Sequence, residues 1–285
     1  MENLKEIVNE IRLIITEKQK EFELTFEEDE HIYTMRDING VLRNDFPSVS
    51  KVIKKFYTPF PTEEAAFNKA KGDPQLQQNL IEEWEAAGVY STNIGSRVHY
   101  NLEKMIIERN GNYKSIRQPI FECDRLQILK SNFMIDAGEE YIKLMEERGA
   151  VLLDTETVLG HPNLGYTGQP DKLWLMMNKE KTNFGLVITD WKTNKPKNFK
   201  TDRFTKKMFK PFNDYPSTAL GHYYIQLPLY GRLLLKMLEN TKYSDLKLLG
   251  CVIVHLQENS KYTEYRVPTD VINKVMDLNI MDYFN

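Results

Sequence analysis

The sequence predicts an α/β fold with a mixed sheet, on three observations. "GQPDKLWLMMNKEKTNFGLVITDW" holds two apolar runs around a polar turn, the pattern of a β-hairpin with a longer loop. Two amphipathic helical segments, 94–111 and 123–149, come before it. A further helix, "GHYYIQLPLYGRLLLKMLEN", and the strands "LKLLGCVIVHL" and "KYTEYRV" come after it. The core order is therefore helix, three strands, helix, strands, which packs as helices against a sheet of mixed direction.

The elements follow in order. Residues 3–20 read as a helix, and 22–35 as a polar-tipped hairpin. In "FPSVSKVIKKF", Ser48 or Ser50 is placed to cap a short helix. Residues 61–90 are mostly helical, broken at "KGDP". The 94–111 helix has a buried stripe at Val98, Leu102 and Met105 and stops at Asn110-Gly111. The next helix stops at Gly149, and "AVLLDTETVLG" is a strand. A polar, basic stretch runs from the hairpin to about 217, Pro228 forces a kink or an early start in the helix beyond it, and a last helix closes the chain. Residues 1–90 read as a largely helical extension and 91–285 as the core domain.

Composition excludes several classes. With 285 residues and 41% hydrophobic content the chain can build a real core, and its 28% charged content is ordinary for a soluble protein. Net charge is −3, so any nucleic-acid contact must rest on local positive charge. Two cysteines, Cys123 and Cys251, without C-x-x-C spacing exclude a disulfide framework and argue against a zinc site or iron–sulfur cluster. No apolar run approaches a membrane span, and "MENLKEIVNE" lacks the features of a signal peptide. The expectation is a soluble, cytoplasmic protein.

The chemistry centres on "GLVITDWKTNK". Asp190 and Lys192 are two apart and share a strand face. With the turn centred between Glu180 and Lys181, Asp171 stands opposite Asp190 across the ladder. Opposed carboxylates repel, and Lys192 supplies part of the compensation. A hard divalent cation supplies more, since Mg²⁺ is often held by only one or two carboxylates with water and substrate phosphate. Asp171, Asp190 and Lys192 thus predict a metal site for phosphodiester chemistry.

These residues resemble a known signature. Pro170-Asp171 and Asp190-Trp191-Lys192 resemble the PD-(D/E)XK nuclease motif. "YIQLPLY", with Gln226 and Tyr230, resembles the Q-x-x-x-Y motif of the RecB-like exonuclease branch. "GSRVHYNLE", with His99, resembles that branch's G-x-x-V-H-x-x-L-E helix. "HIYTMRDINGVLRNDFPSVSKVI" resembles the lead-in of phage and mitochondrial genome-maintenance exonucleases. The likeness covers about residues 30 to 256. The branches with an iron–sulfur cluster need four cysteines, so the resemblance is to the cluster-free branch.

The resemblance implies a restriction-endonuclease-like core and an Mg²⁺- or Mn²⁺-dependent DNA exonuclease acting on single strands or free ends. A phage-like origin would put it in the host cytoplasm. The same chemistry serves a structure-specific endonuclease or resolvase, and a non-catalytic nucleic-acid-binding module is the third reading. His99, Asp171, Asp190 and the backbone carbonyl of Trp191 are the implied metal ligands. Lys192 would hold the attacking water and offset charge on the phosphate. Gln226 and Tyr230, one turn apart, would support Lys192 or the substrate. Glu156 either joins the carboxylates or is an exposed strand residue. His31, His161, His222 and His255 read as structural, and Trp174 as core. Lys195, Lys197, Lys200, Arg203, Lys206, Lys207 and Lys210, interleaved with Phe199, Phe204, Phe209 and Phe212, read as a flexible DNA-contacting cover.

Overall fold

The structure is a computed structural model that describes residues 2–109, 121–178, 180, 182–201 and 205–284. It opens with α1 (Glu2–Glu21), then a small sheet of β1 (Thr25–Glu27), β2 (Ile32–Arg36) and β3 (Leu42–Arg43). Ser48 caps α2 (Val49–Ile53), one of the two serines the sequence offered. α3 (Thr62–Ala70) and α4 (Pro74–Arg109) form a helical hairpin. Asp73 caps α4 by accepting from the N–H groups of Gln75 at 2.9 Å and Leu76 at 3.1 Å, with Pro74 in the first helical position. α5 (Arg125–Glu147) starts at a capping box between Asp124 and Gln127.

The strands follow as β4 (Val151–Thr155), β5 (Leu159–His161), β6 (Tyr166–Gly168), β7 (Lys172–Met177) and β8 (Phe184–Lys192). α6 (Ala219–Met237), β9 (Leu248–Leu256), β10 (Tyr262–Arg266) and α7 (Thr269–Asp277) complete the chain. The main sheet has the order β10-β9-β8-β7-β4. β4, β7 and β8 run antiparallel in turn, β8 pairs parallel with β9 through the α6 crossover, and β10 returns antiparallel. This is the mixed α/β class the sequence predicts.

Strand alternation divides the core between the two faces of this sheet. Leu173, Leu175, Leu186 and Ile188 pack with Leu227, Leu233 and Leu234 of α6 and Ile11 of α1. Trp174, Val187 and Trp191 pack with Val98 and Leu102 of α4 and Tyr141 of α5. β8 is covered on both sides, so its sequence is a continuous apolar run rather than an alternating one.

The structure differs from the sequence reading in four places. The boundary expected at residue 90 falls inside α4, which runs unbroken from 74 to 109, and α1 shares the main core. The N-terminal residues therefore pack as part of the domain. The strand expected over 150–160 is two strands, because Glu156 takes a left-handed φ of 44° that ends β4. Pro228 lies inside α6 without ending it. The basic stretch is anchored: Phe199 and Phe212 are buried, and the N–H of Phe209 donates to the Phe56 carbonyl at 2.7 Å. The Asn110-Gly111 stop, Lys181 of the hairpin turn, Arg203 and Phe204 lie outside the described residues. Among the described residues, no helix is long and apolar enough to cross a membrane.

Candidate metal centre

The hairpin has the register the turn implied. Lys172 pairs with Thr189 and Leu173 with Ile188, so Asp171, one residue before β7, continues that register toward Asp190. Asp190 and Lys192 end β8 on the face that meets α6. His99 comes from α4 across the end of the sheet. Gly95, one turn earlier, allows this approach, since a Cβ there would meet Thr193 Oγ1 at 3.3 Å.

Among the described residues, ligand atoms of His99, Asp171 and Asp190 lie within 4.8 Å of one another. His99 Nδ1 is 3.3 Å from Asp171 Oδ2, and His99 Nε2 is 3.1 Å from the Trp191 carbonyl oxygen. Asp171 Oδ2 also accepts from the Trp191 N–H at 3.1 Å. Lys192 Nζ is 2.8 Å from Asp190 Oδ2, while Asp190 Oδ1 is buried without a hydrogen-bond partner. Lys172, 2% exposed, brings its ammonium within 3.7 Å of Asp171 Oδ2 and lies over the Trp191 ring at 4.3 Å.

The electrostatics follow from this crowding. Burial and the neighbouring Asp171 push the Asp190 carboxyl up to about 7. Burial also disfavours charge on Asp171, but His99, Lys172 and Lys192 outweigh it and hold that carboxyl below the usual range. Two close carboxylates do not ionise with equal ease, so their environments separate them. Burial lowers His99 despite Asp171, and Lys172 and Lys192 lower it further. Burial disfavours charge on Lys192, yet Asp190 and Asp171 hold its ammonium above the ordinary lysine value.

A metal ion fits this donor set. The Trp191 carbonyl and the ionised Asp171 carboxylate both only accept, and a neutral His99 has one proton to give. With that proton on Nδ1 the Nε2 lone pair faces the carbonyl, and with it on Nε2 the Nδ1 lone pair faces the carboxylate, two acceptors with nothing between them. A cation bound by both removes that conflict and also supplies the partner that Asp190 Oδ1 lacks. Metal-bound histidines commonly donate their other N–H to a carbonyl. That contact is the one the Trp191 carbonyl makes with His99.

The other candidates separate. Gln226 Nε2 donates to the Tyr230 hydroxyl at 3.0 Å, so these two bond to each other. Lys192 instead contacts Asp190 and, from α6, the ring of Tyr223 at 4.4 Å. Tyr230 is buried beside Gly168, where a Cβ would come within 2.6 Å of its ring. Glu156 is half-buried at the kink after β4, with its carbonyl held by Gln169 Nε2 at 2.8 Å. Burial, Asp171 and Glu103 raise it well above the usual carboxylate value. It therefore belongs beside the acidic group.

Three residues of the site went unassigned in the sequence: Glu103, Lys172 and Tyr223. Glu103 is four residues after His99 on α4, at the spacing that shares a helix face. Lys172 directly follows Asp171, and Tyr223 is three residues before Gln226.

His99 faces a cleft of about 960 Å³, lined also by Glu103, Glu156, Phe26, Tyr90 and Tyr100, whereas Asp171, Asp190 and Lys192 lie outside its lining. Lys195 and Lys197 line it as well, whereas Lys200, Lys206, Lys207 and Lys210 are exposed and outside that lining. No known protein-family model and no curated protein matches this chain.

Proposed function

We propose that this protein is a metal-dependent deoxyribonuclease that hydrolyses phosphodiester bonds from a free DNA end. The observation that carries the reading is the convergence of His99, Asp171, Asp190 and Lys192, of which His99 lines a cleft. Ligand atoms of His99, Asp171 and Asp190 lie within 4.8 Å of one another, Lys192 reaches Asp190, and one buried carboxylate oxygen is left without a hydrogen-bond partner.

His99, Asp171 and Asp190 would hold Mg²⁺ or Mn²⁺. Bound there, the cation supplies Lewis-acid activation of water and neutralises charge on the phosphate. Lys192 keeps two of its three N–H donors beyond the Asp190 contact, and these hold the attacking water and the phosphate oxygen it approaches. Lys172, shut in beneath Asp171, balances the acidic group without reaching the cleft. Lys195 and Lys197 at the rim meet the backbone of the incoming strand, a contact that carries no sequence preference. Phe26, Tyr90 and Tyr100 offer faces on which bases stack.

The test is incubation with end-labelled linear single-stranded DNA, linear duplex and a closed single-stranded circle, with Mg²⁺ or with chelator. Linear strands should be degraded only with the metal, and the circle should resist. No hydrolysis of any substrate with Mg²⁺ or Mn²⁺ would refute the nuclease reading. Rapid nicking of the circle would replace the exonuclease with an endonuclease.

A further inference from the structure

The geometry points to Tyr223 as the residue that positions the Lys192 ammonium, held in turn by Asn194 and His255. The inference rests on the reading of Lys192 as the group that orients the attacking water.

A lysine carries four methylenes, and its charge is fixed only if something fixes the tip. Asp190 Oδ2 does so on one side, at 2.8 Å. On the other side the ammonium lies over the Tyr223 ring, 4.4 Å from its centroid. An aromatic face attracts the cation through its quadrupole. It does so without a lone pair, so it does not fix the remaining N–H donors in direction. Those donors stay available to water and phosphate.

The ring is itself held. The Tyr223 hydroxyl donates to Asn194 Oδ1 at 2.9 Å. The Asn194 carbonyl is 2.7 Å from His255 Nε2, which must carry the proton because a carbonyl only accepts. His255 pairs with Lys192 in the parallel β8–β9 ladder and is 2% exposed. Phe199 stacks on it at 4.3 Å and 27°, and also on Tyr265 at 5.3 Å and 15°. The chain leaving β8 is thereby locked from Asn194 to Phe199, and the lock ends at the ring beneath Lys192. Gln226 and Tyr230, bonded to each other, leave this position on α6 to Tyr223.

Tyr223→Phe keeps the ring and loses the Asn194 bond, while Tyr223→Leu loses both. In the full chain, the expected order of kcat is wild type, then Phe lower by a few-fold, then Leu lower by roughly ten- to thirtyfold. Mn²⁺ affinity should stay unchanged, since the contacts of Tyr223 are with Lys192 and Asn194 and not with His99, Asp171 or Asp190. A second readout does not need activity. With ¹³C-lysine labelling, and Lys192→Arg to assign the signal, the Lys192 ε-protons should show an upfield ring-current displacement in wild type and Phe but not in Leu. Wild-type kcat in Tyr223→Leu, or a loss matched by lost Mn²⁺ affinity, overturns the inference. So does a wild-type Lys192 signal without the displacement, whether or not the chain cleaves DNA. A displaced signal in a chain that cleaves nothing would refute the nuclease reading while leaving Tyr223 in contact with Lys192.

Discussion

His99 and Asp171 face each other across 3.3 Å, nitrogen to carboxylate oxygen, while the far nitrogen of the same imidazole is held by the Trp191 carbonyl. Both nitrogens face oxygens that only accept, and a neutral ring has one proton, so one nitrogen presents a lone pair to an acceptor. The pair is thus arranged for a cation that neither residue provides.

The first prediction follows directly. Mn²⁺ or Mg²⁺ should raise the melting temperature, by about 2.7 kcal/mol of stability at a hundredfold excess over Kd. Chelator should remove the gain. Asp171→Asn and His99→Ala should abolish it while leaving the chelated protein folded. A melting curve indifferent to the cations in wild type would sink the metal centre.

Asp190 faces two opposing demands. Its Oδ1 is buried without a partner, while its Oδ2 holds Lys192 at 2.8 Å. Asp190→Asn relieves repulsion from Asp171 and keeps an acceptor for Lys192, so the effects offset. Its stability in chelator should stay within about 1 kcal/mol of wild type. Asp190→Ala leaves the lysine without an acceptor and should cost about 2 kcal/mol or more. Both should lose cleavage. Appreciable turnover by Asp190→Asn would remove this carboxylate from the mechanism.

Lys192→Ala should lower the rate by about two to three orders of magnitude with little change in DNA affinity. Arginine should not restore it, because a planar fork does not fit between the Asp190 oxygen and the Tyr223 ring. Near wild-type turnover in Lys192→Ala would end its assignment as the water-holding residue.

Periodicity made much of this legible in advance. The β7–β8 register was readable because the hairpin turn is symmetric, and it aligned Asp171 with Asp190. The helix–strand order was readable because helical spacing marks the helices and short apolar runs bounded by turn residues mark the strands. The kink at Glu156 was hidden, since a left-handed φ at a non-glycine residue has no reliable composition signal. The role of the phenylalanines was hidden for a different reason. A phenylalanine beside lysines reads the same whether it stacks on a base or anchors a loop, and burial shows Phe199 and Phe212 to be anchors. Lys172 was hidden because a lysine is expected at the surface, and only the surrounding carboxylates make its burial tolerable.

Two histidines outside the site set a pH dependence. Burial, reinforced by Lys236, lowers His161 to about 4, and burial lowers His222 to about 4. His161 Nδ1 accepts the Asn163 N–H at 3.1 Å, and His222 stacks on Tyr57 at 3.6 Å. The unfolded chain protonates these rings near 6.5, before the folded protein does. Their contribution is therefore complete above about pH 6.5 and is lost as pH falls from there toward 4. At pH 5 the loss should be on the order of 1 kcal/mol per histidine, allowing for partial exposure. Denaturant titrations of His161→Gln/His222→Gln should show a smaller difference between pH 7.5 and pH 5 than wild type. An equal difference would assign the acid sensitivity elsewhere.

The last prediction separates the lysines that the sequence grouped together. Lys195 and Lys197 line the cleft, whereas Lys206, Lys207 and Lys210 lie on the exposed, anchored stretch beyond it. The cleft also carries Glu103 and Glu156, so a strand entering it meets like charge unless cations and the rim lysines offset it. A phosphate contact releases counterions, and each one lost lowers the salt slope of binding by about one. Lys195→Ala/Lys197→Ala should therefore weaken binding of every linear sequence alike and flatten its dependence on salt by about two. Lys206→Ala/Lys207→Ala/Lys210→Ala should change the slope by less, although it removes more positive charge. Fluorescence anisotropy with labelled oligonucleotides at several salt concentrations reads both. A larger slope change in the triple variant would move the strand path out of the cleft and onto the basic stretch.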